Sequence, residues 1–231
     1  MFRPVRGYHA FEGCVEQLAT AIRLGVFPYG SALPPERELA EQMGVSRSTL
    51  REAIAALRTA GMVRTTRGRG GGSVVAFRPP AEETDRTPAT GERREQLLDS
   101  LTFRRIVEPG ASWLAASRQL NATERMLLTT TLAEVDQAPD SGAHRQADSR
   151  LHLAIASVTG SPMTVAAVTE VQAGLHDMLR SIPVLEPNIE HSTRQHRAIV
   201  AAILAGEPAK ARRAMEQHCD DTAALLRGLL G

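Results

Sequence analysis

Cysteine is scarce in this chain: among 231 residues only Cys14 and Cys219 carry a thiol, and neither has a CxxC partner. The pattern offers no disulfide framework and fits two reduced thiols in a cytosolic protein. Long apolar runs are missing as well. No stretch of about 18 apolar residues occurs, so no transmembrane helix is expected. The first residues lack the apolar core of a signal peptide, and a cytoplasmic location is the expectation. Lysine is nearly absent, Lys210 being the only one. With abundant alanine, that bias fits a GC-rich coding sequence better than a functional signal. Net charge is also small, +1, but it is unevenly spread. Residues 1–78 hold 11 arginines against 6 glutamates, and residues 79–231 hold 16 basic against 20 acidic residues. A basic head on an acidic body suits DNA affinity concentrated at one end, although such splits also arise by chance.

The richest stretch runs from Leu33 to Val75. A helix is expected from near Pro35, since proline is tolerated at a first helical position and Glu36 and Glu38 favour the dipole there. Leu39, Ala40 and Met43 share one face, and Gly44 can take the left-handed turn that ends the helix. Ser46 is a good N-cap for a second helix. Leu50, Ile54 and Leu57 face its core, Arg47, Ser48 and Arg51 point outward near its start, and Gly61 stops it. Two β-leaning runs follow, Met62–Thr66 and Val74–Ala76, around Arg67-Gly68-Arg69-Gly70-Gly71-Gly72. Upstream, Val15, Leu18, Ala19 and Ile22 mark another amphipathic helix.

Helix, turn, helix and arginine-tipped hairpin, in that order, are the parts of a winged helix-turn-helix. Such a fold places the second helix in the major groove, where arginine can contact guanine O6 and N7. Outward arginines alone are usually just a solvated face. Leu33-Pro34, Glu36-Arg37-Glu38-Leu39-Ala40, Gly44-Val45-Ser46-Arg47, Arg51-Glu52-Ala53 and Val63-Arg64 together resemble the N-terminal domain of GntR-family bacterial transcription regulators. The resemblance implies that Arg37, Arg47 and Arg51 contact DNA, that Ser48 and Thr49 add contacts, and that Arg67 and Gly68 enter the minor groove. Pro35 departs from the family's usual Ser or Ala and forgoes an N-cap hydroxyl.

Residues 78–91, RPPAEETDRTPATG, are polar, rich in Pro and Thr and without apolar period, as expected of a linker. Beyond them helical spacing recurs near 92–117, 122–137, 143–158, 162–180, 189–205 and 208–229. Breaks come at Asn121, Pro139–Gly142, Gly160–Pro162, Pro183 with Pro187, and Gly206 with Pro208. The expected fold class is therefore mainly α. It comprises an N-terminal winged helix-turn-helix (1–77), a linker (78–91) and an all-helical antiparallel bundle (92–231).

Within the bundle Asp148 and His152 lie four apart on one helix face. His196 and His218 sit beside apolar residues on two further helices. A carboxylate and three imidazoles from three helices can surround a metal, and such a nitrogen-rich set suits a divalent ion, Zn or Ni foremost. Each residue also has a plainer reading: single histidines near apolar faces are often hydrogen-bonded core residues, and Asp–His pairs are common on wet surfaces. His191, about a turn from His196, is the chief rival ligand.

Four segments resemble the FCD-type effector domain found in the FadR subfamily. They are Phe103–Pro109, Asp148–Ala156, His196–Ile199 with Gly206-Glu207, and Met215–His218. The resemblance implies that Asp148, His152, His196 and His218 hold the ion and that Arg104 faces a carboxylate effector. Arg104 could instead form a surface salt bridge with Glu108. Ser161-Pro162 stands where the family often has Asn-Pro.

The expected function is a ligand-responsive transcription regulator that forms a homodimer. It would act as a repressor on a near-palindromic double-stranded DNA operator, released by a small carboxylate bound at the metal. The alternatives are a metal-dependent enzyme with a DNA-targeting head, against which no HExxH-type spacing appears, and a metal-free body holding a larger acyl ligand. No membrane partner is expected.

Overall fold

The computed structural model describes residues 10–66, 72–78, 91–179 and 186–230. The chain divides into two compact units, Met1–Pro79 and Pro80–Gly231.

The first unit holds α1 (Ala10–Arg23), α2 (Glu36–Met43), α3 (Arg47–Thr59), β1 (Val63–Thr66) and β2 (Gly72–Val75). Its core is built from the apolar stripes that the spacing marked. Leu18 and Ile22 of α1, Leu39 and Met43 of α2, and Leu50, Ile54 and Leu57 of α3 are buried together with Val63 and Val75. Pro35 caps α2 without a side-chain hydrogen bond, as its lack of a hydroxyl requires. Gly44 adopts φ 65°, and its N–H returns to the Ala40 and Glu41 carbonyls, so the chain turns within three residues into α3. There Ser46 Oγ accepts the Thr49 N–H at 3.1 Å.

The hairpin is antiparallel with Val63 opposite Val75 and Thr66 opposite Gly72. β2 therefore starts two residues earlier than its apolar residues indicated. Gly72 joins the ladder, and its N–H also meets Thr66 Oγ1 at 3.3 Å. A further edge, which sequence reasoning did not foresee, comes from residues 30–33. Leu33 N–H donates to the Ser73 carbonyl at 2.8 Å, and Val75 N–H donates to that of Ser31 at 2.9 Å. The hairpin tip, including Arg67 and Gly68, lies outside the described residues, as do linker residues 79–90.

The second unit is all-helical among its described residues: α4 (Gly91–Ala116), α5 (Ala122–Asp136), α6 (Ser141–Ser157), α7 (Pro162–Leu179), α8 (Glu186–Leu204) and α9 (Pro208–Leu230). Local chemistry sets the starts. Asn121 and Glu124 form a reciprocal capping box at α5. Asp140 Oδ1 accepts the Ala143 N–H at 2.7 Å, so α6 begins at Ser141 rather than near 143. Ser161 Oγ accepts the Thr164 N–H at 3.2 Å ahead of Pro162. Pro187, expected as a break, sits in the first turn of α8, where a missing N–H costs nothing. Short connections between α5 and α6, α6 and α7, and α8 and α9 join neighbours that pack on each other, as in an antiparallel bundle.

Helix α4 packs against α6, α7, α8 and α9 and is the hub of the bundle. One apolar cluster gathers Leu128, Leu151, Ile155, Ile199, Ile203 and Met215. A smaller one gathers Leu97, Leu101, Val171, Leu175 and Ala223. None of the described helices is long and apolar enough to cross a membrane.

Candidate metal centre and nucleic-acid interface

At the start of α3 the expected DNA-contacting side chains form one exposed group. Arg47, Ser48 and Arg51 are exposed, as is Arg37 on α2. Thr49 is half-buried; its Oγ1 lies 2.8 Å from Ser46 Oγ, and Ser48 Oγ lies 2.7 Å from the same oxygen. The two hydroxyls are thus drawn into the N-cap. Arg51 is not idle: its Nε donates to Glu36 Oε2 at 2.7 Å, with the two side chains 61% and 37% exposed. Glu36 so links α2 to α3, a partnership invisible when it is read only as a helix-start acid.

In the body, α6, α8 and α9 bring His152, His196 and His218 together. The three are 2%, 0% and 2% exposed. Their ring centroids are 4.6 to 5.4 Å apart. One potential ligand atom from each lies within 4.8 Å of the others. Asp148 stands at the edge of this group, with Oδ1 3.3 Å from His196 Nε2 and Oδ2 3.9 Å from His152 Nε2. An ion about 2.1 Å from each imidazole nitrogen needs them about 3 to 3.5 Å apart, which small ring rotations from this spacing would supply.

Two observations fit an ion. Both nitrogens of His196 are buried without a hydrogen bond, which is costly for groups of this polarity. The donor set is nitrogen-rich with one carboxylate at its rim, a set that borderline divalent ions accept. Burial pushes the His196 imidazole down to about 4, against the pull of Asp148, and pushes His218 well below its ordinary value. Both rings are therefore neutral near pH 7, the form that ligates metal. Burial would raise the Asp148 carboxyl, but His196, His152 and Arg104 hold it below its usual range and keep it anionic.

Arg104 makes the expected pair with Glu108, but not on the surface. Its salt bridge with Glu108 exists, Nε to Oε2 at 2.9 Å, but it is buried, at 3% and 1% exposure, rather than on the helix surface. The remaining reach of the guanidinium goes to the histidines: Nη2 is 2.9 Å from His218 Nε2 and 3.4 Å from His152 Nε2. Arg104 is thus both an ion-pair partner and part of the wall of the histidine site.

Glu108 is the residue that sequence reasoning undervalued. Besides Arg104 it accepts from Gln172 Nε2 at 2.6 Å and from Cys219 Sγ at 3.8 Å. It also lies 2.9 Å from His152 Nδ1, outside hydrogen-bond geometry. Burial alone would raise its pKa; Arg104 and His152 instead hold it well below the usual carboxylate range. Its i, i+4 relation to Arg104 was the only available signal, and for Gln172 there was none. His191 remains outside the cluster: it is 47% exposed and pairs with Asp221 at 3.0 Å.

A winged-helix head and an all-helical body with an inward-facing cluster of imidazoles define a two-part DNA-binding regulator. Comparison with known proteins agrees for both parts. Residues 12–72 match the bacterial regulatory proteins of the gntR family, and residues 99–221 match the FCD domain. The chain belongs to the gntR family, in the group whose second half is an FCD domain.

The “Putative L-lactate dehydrogenase operon regulatory protein” of Escherichia coli K12 is 32% identical over 202 residues, covering 82% of this chain and 75% of that protein. The “HTH-type transcriptional repressor NanR” of Salmonella schwarzengrund is 29% identical, covering 98% and 88%. The solved structure of E. coli McbR/YncC shares the fold at TM-score 0.56 and 17% identity, covering 96% and 99%. Family and relatives are those of a DNA-binding transcription regulator and give no support to an enzyme.

Proposed function

We propose that this regulator is a cytoplasmic homodimer whose helical bodies hold a divalent metal, Zn or Ni foremost, and bind a small carboxylate through it. Asp148, His152, His196 and His218 are the ligands. Arg104, whose guanidinium reaches the same nitrogens, is the cation that the carboxylate meets. Two heads read the half-sites of a near-palindromic operator with Arg37, Arg47, Ser48, Thr49 and Arg51, and with Arg67 and Gly68 at the wing.

The effector is read out through residues 78–91, which join the body (92–231) to the head (1–77). It alters how the heads are held only to the extent that it prefers one arrangement, tenfold in DNA affinity for about 1.4 kcal/mol of preference. Repression relieved by the effector is the proposed sense, in keeping with a relative named as a repressor.

The observation that carries this reading is the trio of buried imidazoles with potential ligand atoms within 4.8 Å of one another, His196 having neither nitrogen hydrogen-bonded. When bound, the ion supplies an open coordination position for a carboxylate oxygen. Elemental analysis of protein purified without chelators tests it. About one metal per chain in the wild type, lost in His196→Ala with His218→Ala, is expected; a wild type without metal contradicts it.

A further inference from the structure

The geometry points to Gln195 as the positioning residue that sets the ligand nitrogen of His218, with Asp221 setting Gln195 in turn. This rests on the metal reading above. Gln195 precedes His196 in α8 and is half-buried. Its Nε2 lies 2.6 Å from Asp221 Oδ2, and its Oε1 lies 3.1 Å from His218 Nδ1. An ionised carboxylate only accepts, so the amide nitrogen faces Asp221 and the amide oxygen faces the ring. That oxygen also only accepts, so the proton of His218 sits on Nδ1. Across the ring Arg104 Nη2, which only donates, stands 2.9 Å from Nε2. Two neighbours on opposite sides thus demand one tautomer, the one whose Nε2 carries a lone pair, which accepts from Arg104 and which a metal would take in its place.

The support extends to the surface. Asp221 Oδ1 accepts from Gln217 Nε2 at 2.7 Å, and Oδ2 is 3.0 Å from His191 Nε2. His191, the rival ligand by spacing, serves the site from behind. Among the three clustered histidines His218 alone has its Nδ1 set by a neutral amide: Nδ1 of His196 has no hydrogen bond, and that of His152 lies 2.9 Å from the Glu108 carboxylate. Without the Gln195 oxygen the other tautomer becomes accessible, with its proton where the ion must sit. Partners of this kind ordinarily change metal affinity by about 10- to 100-fold.

The test uses full-length, metal-stripped protein, zinc titration against a chromophoric chelator, and nitrogen-15 spectra that report which ring nitrogen of His218 carries the proton. In the wild type the proton is on Nδ1. In Gln195→Leu, where Arg104 alone still favours the Nδ1 proton, the tautomers become mixed and zinc affinity falls about 10- to 100-fold. Gln195→Glu combined with Asp221→Asn exchanges donor and acceptor between the two side chains, restores an oxygen facing the ring, and recovers both readouts.

A wild-type proton on Nε2, or a leucine variant with unchanged tautomer and affinity, overturns the assignment. If the leucine variant does not fold, the exchanged pair decides by keeping or losing the Nδ1 proton. If stripped wild type takes up no zinc or nickel, the metal reading fails by itself, while the spectra still uphold or overturn the role of Gln195.

Discussion

Replacing Glu108 by leucine removes the one carboxylate that, among the described residues, lies within ion-pair distance of the buried Arg104 guanidinium. Gln172 Nε2 and the Cys219 thiol lose their acceptor at the same stroke. Breaking a buried pair by removing one partner costs about 3 to 5 kcal/mol, because the other charge stays out of water. Replacing both charges with apolar groups of similar volume is often close to neutral. The double variant Arg104→Met with Glu108→Leu should therefore return to within about 2 kcal/mol of wild type.

Urea unfolding of metal-free protein followed at Trp113 measures this. Trp113 is the chain's single tryptophan, lies on α4 and is 46% exposed, so its emission follows the body rather than the head. In a thermal scan the Glu108→Leu loss corresponds to a fall in Tm of about 10 °C, at about 2 to 4 °C per kcal/mol for a unit of this size. A loss under about 1 kcal/mol, or a double variant as unstable as the single one, would refute the claim that charge pairing governs this site.

Three further outcomes follow from the same geometry. The folded-state pKa of His196, about 4, lies below its unfolded value of 6.5, so the unfolded chain takes up the proton first. Stability of the metal-free body is then full above pH 6.5 and falls by up to about 3 kcal/mol as pH drops to 4, with His218 adding in the same direction; a body that gains stability over this window contradicts the burial argument. Arg47→Ala and Arg51→Ala should each weaken specific operator binding by about 1 to 3 kcal/mol in gel shifts, and unchanged affinity removes α3 as the reading helix. Glu36→Gln frees Arg51 from an exposed pair worth at most about 1 kcal/mol, so operator affinity should rise up to about fivefold; a fall would mean that Glu36 positions Arg51 for DNA.

The head was legible nearly residue by residue because its signals are local. Gly44, Ser46 and the Leu50, Ile54 and Leu57 stripe each act within one or two turns of chain. The edge at residues 30–33 was not, since its pairing is made by backbone groups of a distant strand whatever the side chains are. In the body, helix limits followed from caps and breakers, and the histidines stood out by type. What could not be read was the company they keep. Glu108 is four residues from Arg104, but its burial comes from α6, α7 and α9 closing over α4, and Gln172 and Gln195 carry no pattern at all. Long-range hydrogen bonds of this sort depend on how helices cross, which spacing along one helix does not encode.

If a metal-bearing helical body governs a DNA-reading head, the release of DNA must depend on the histidine site. Fluorescence anisotropy on an operator selected from genomic fragments tests it most directly, using metal-loaded protein at moderate ionic strength with and without a panel of small mono- and dicarboxylic acids. At least one acid should lower the operator affinity of the wild type by tenfold or more, about 1.4 kcal/mol, and leave His196→Ala with His218→Ala unmoved. The same release in both proteins, or no preference for any fragment, would contradict it.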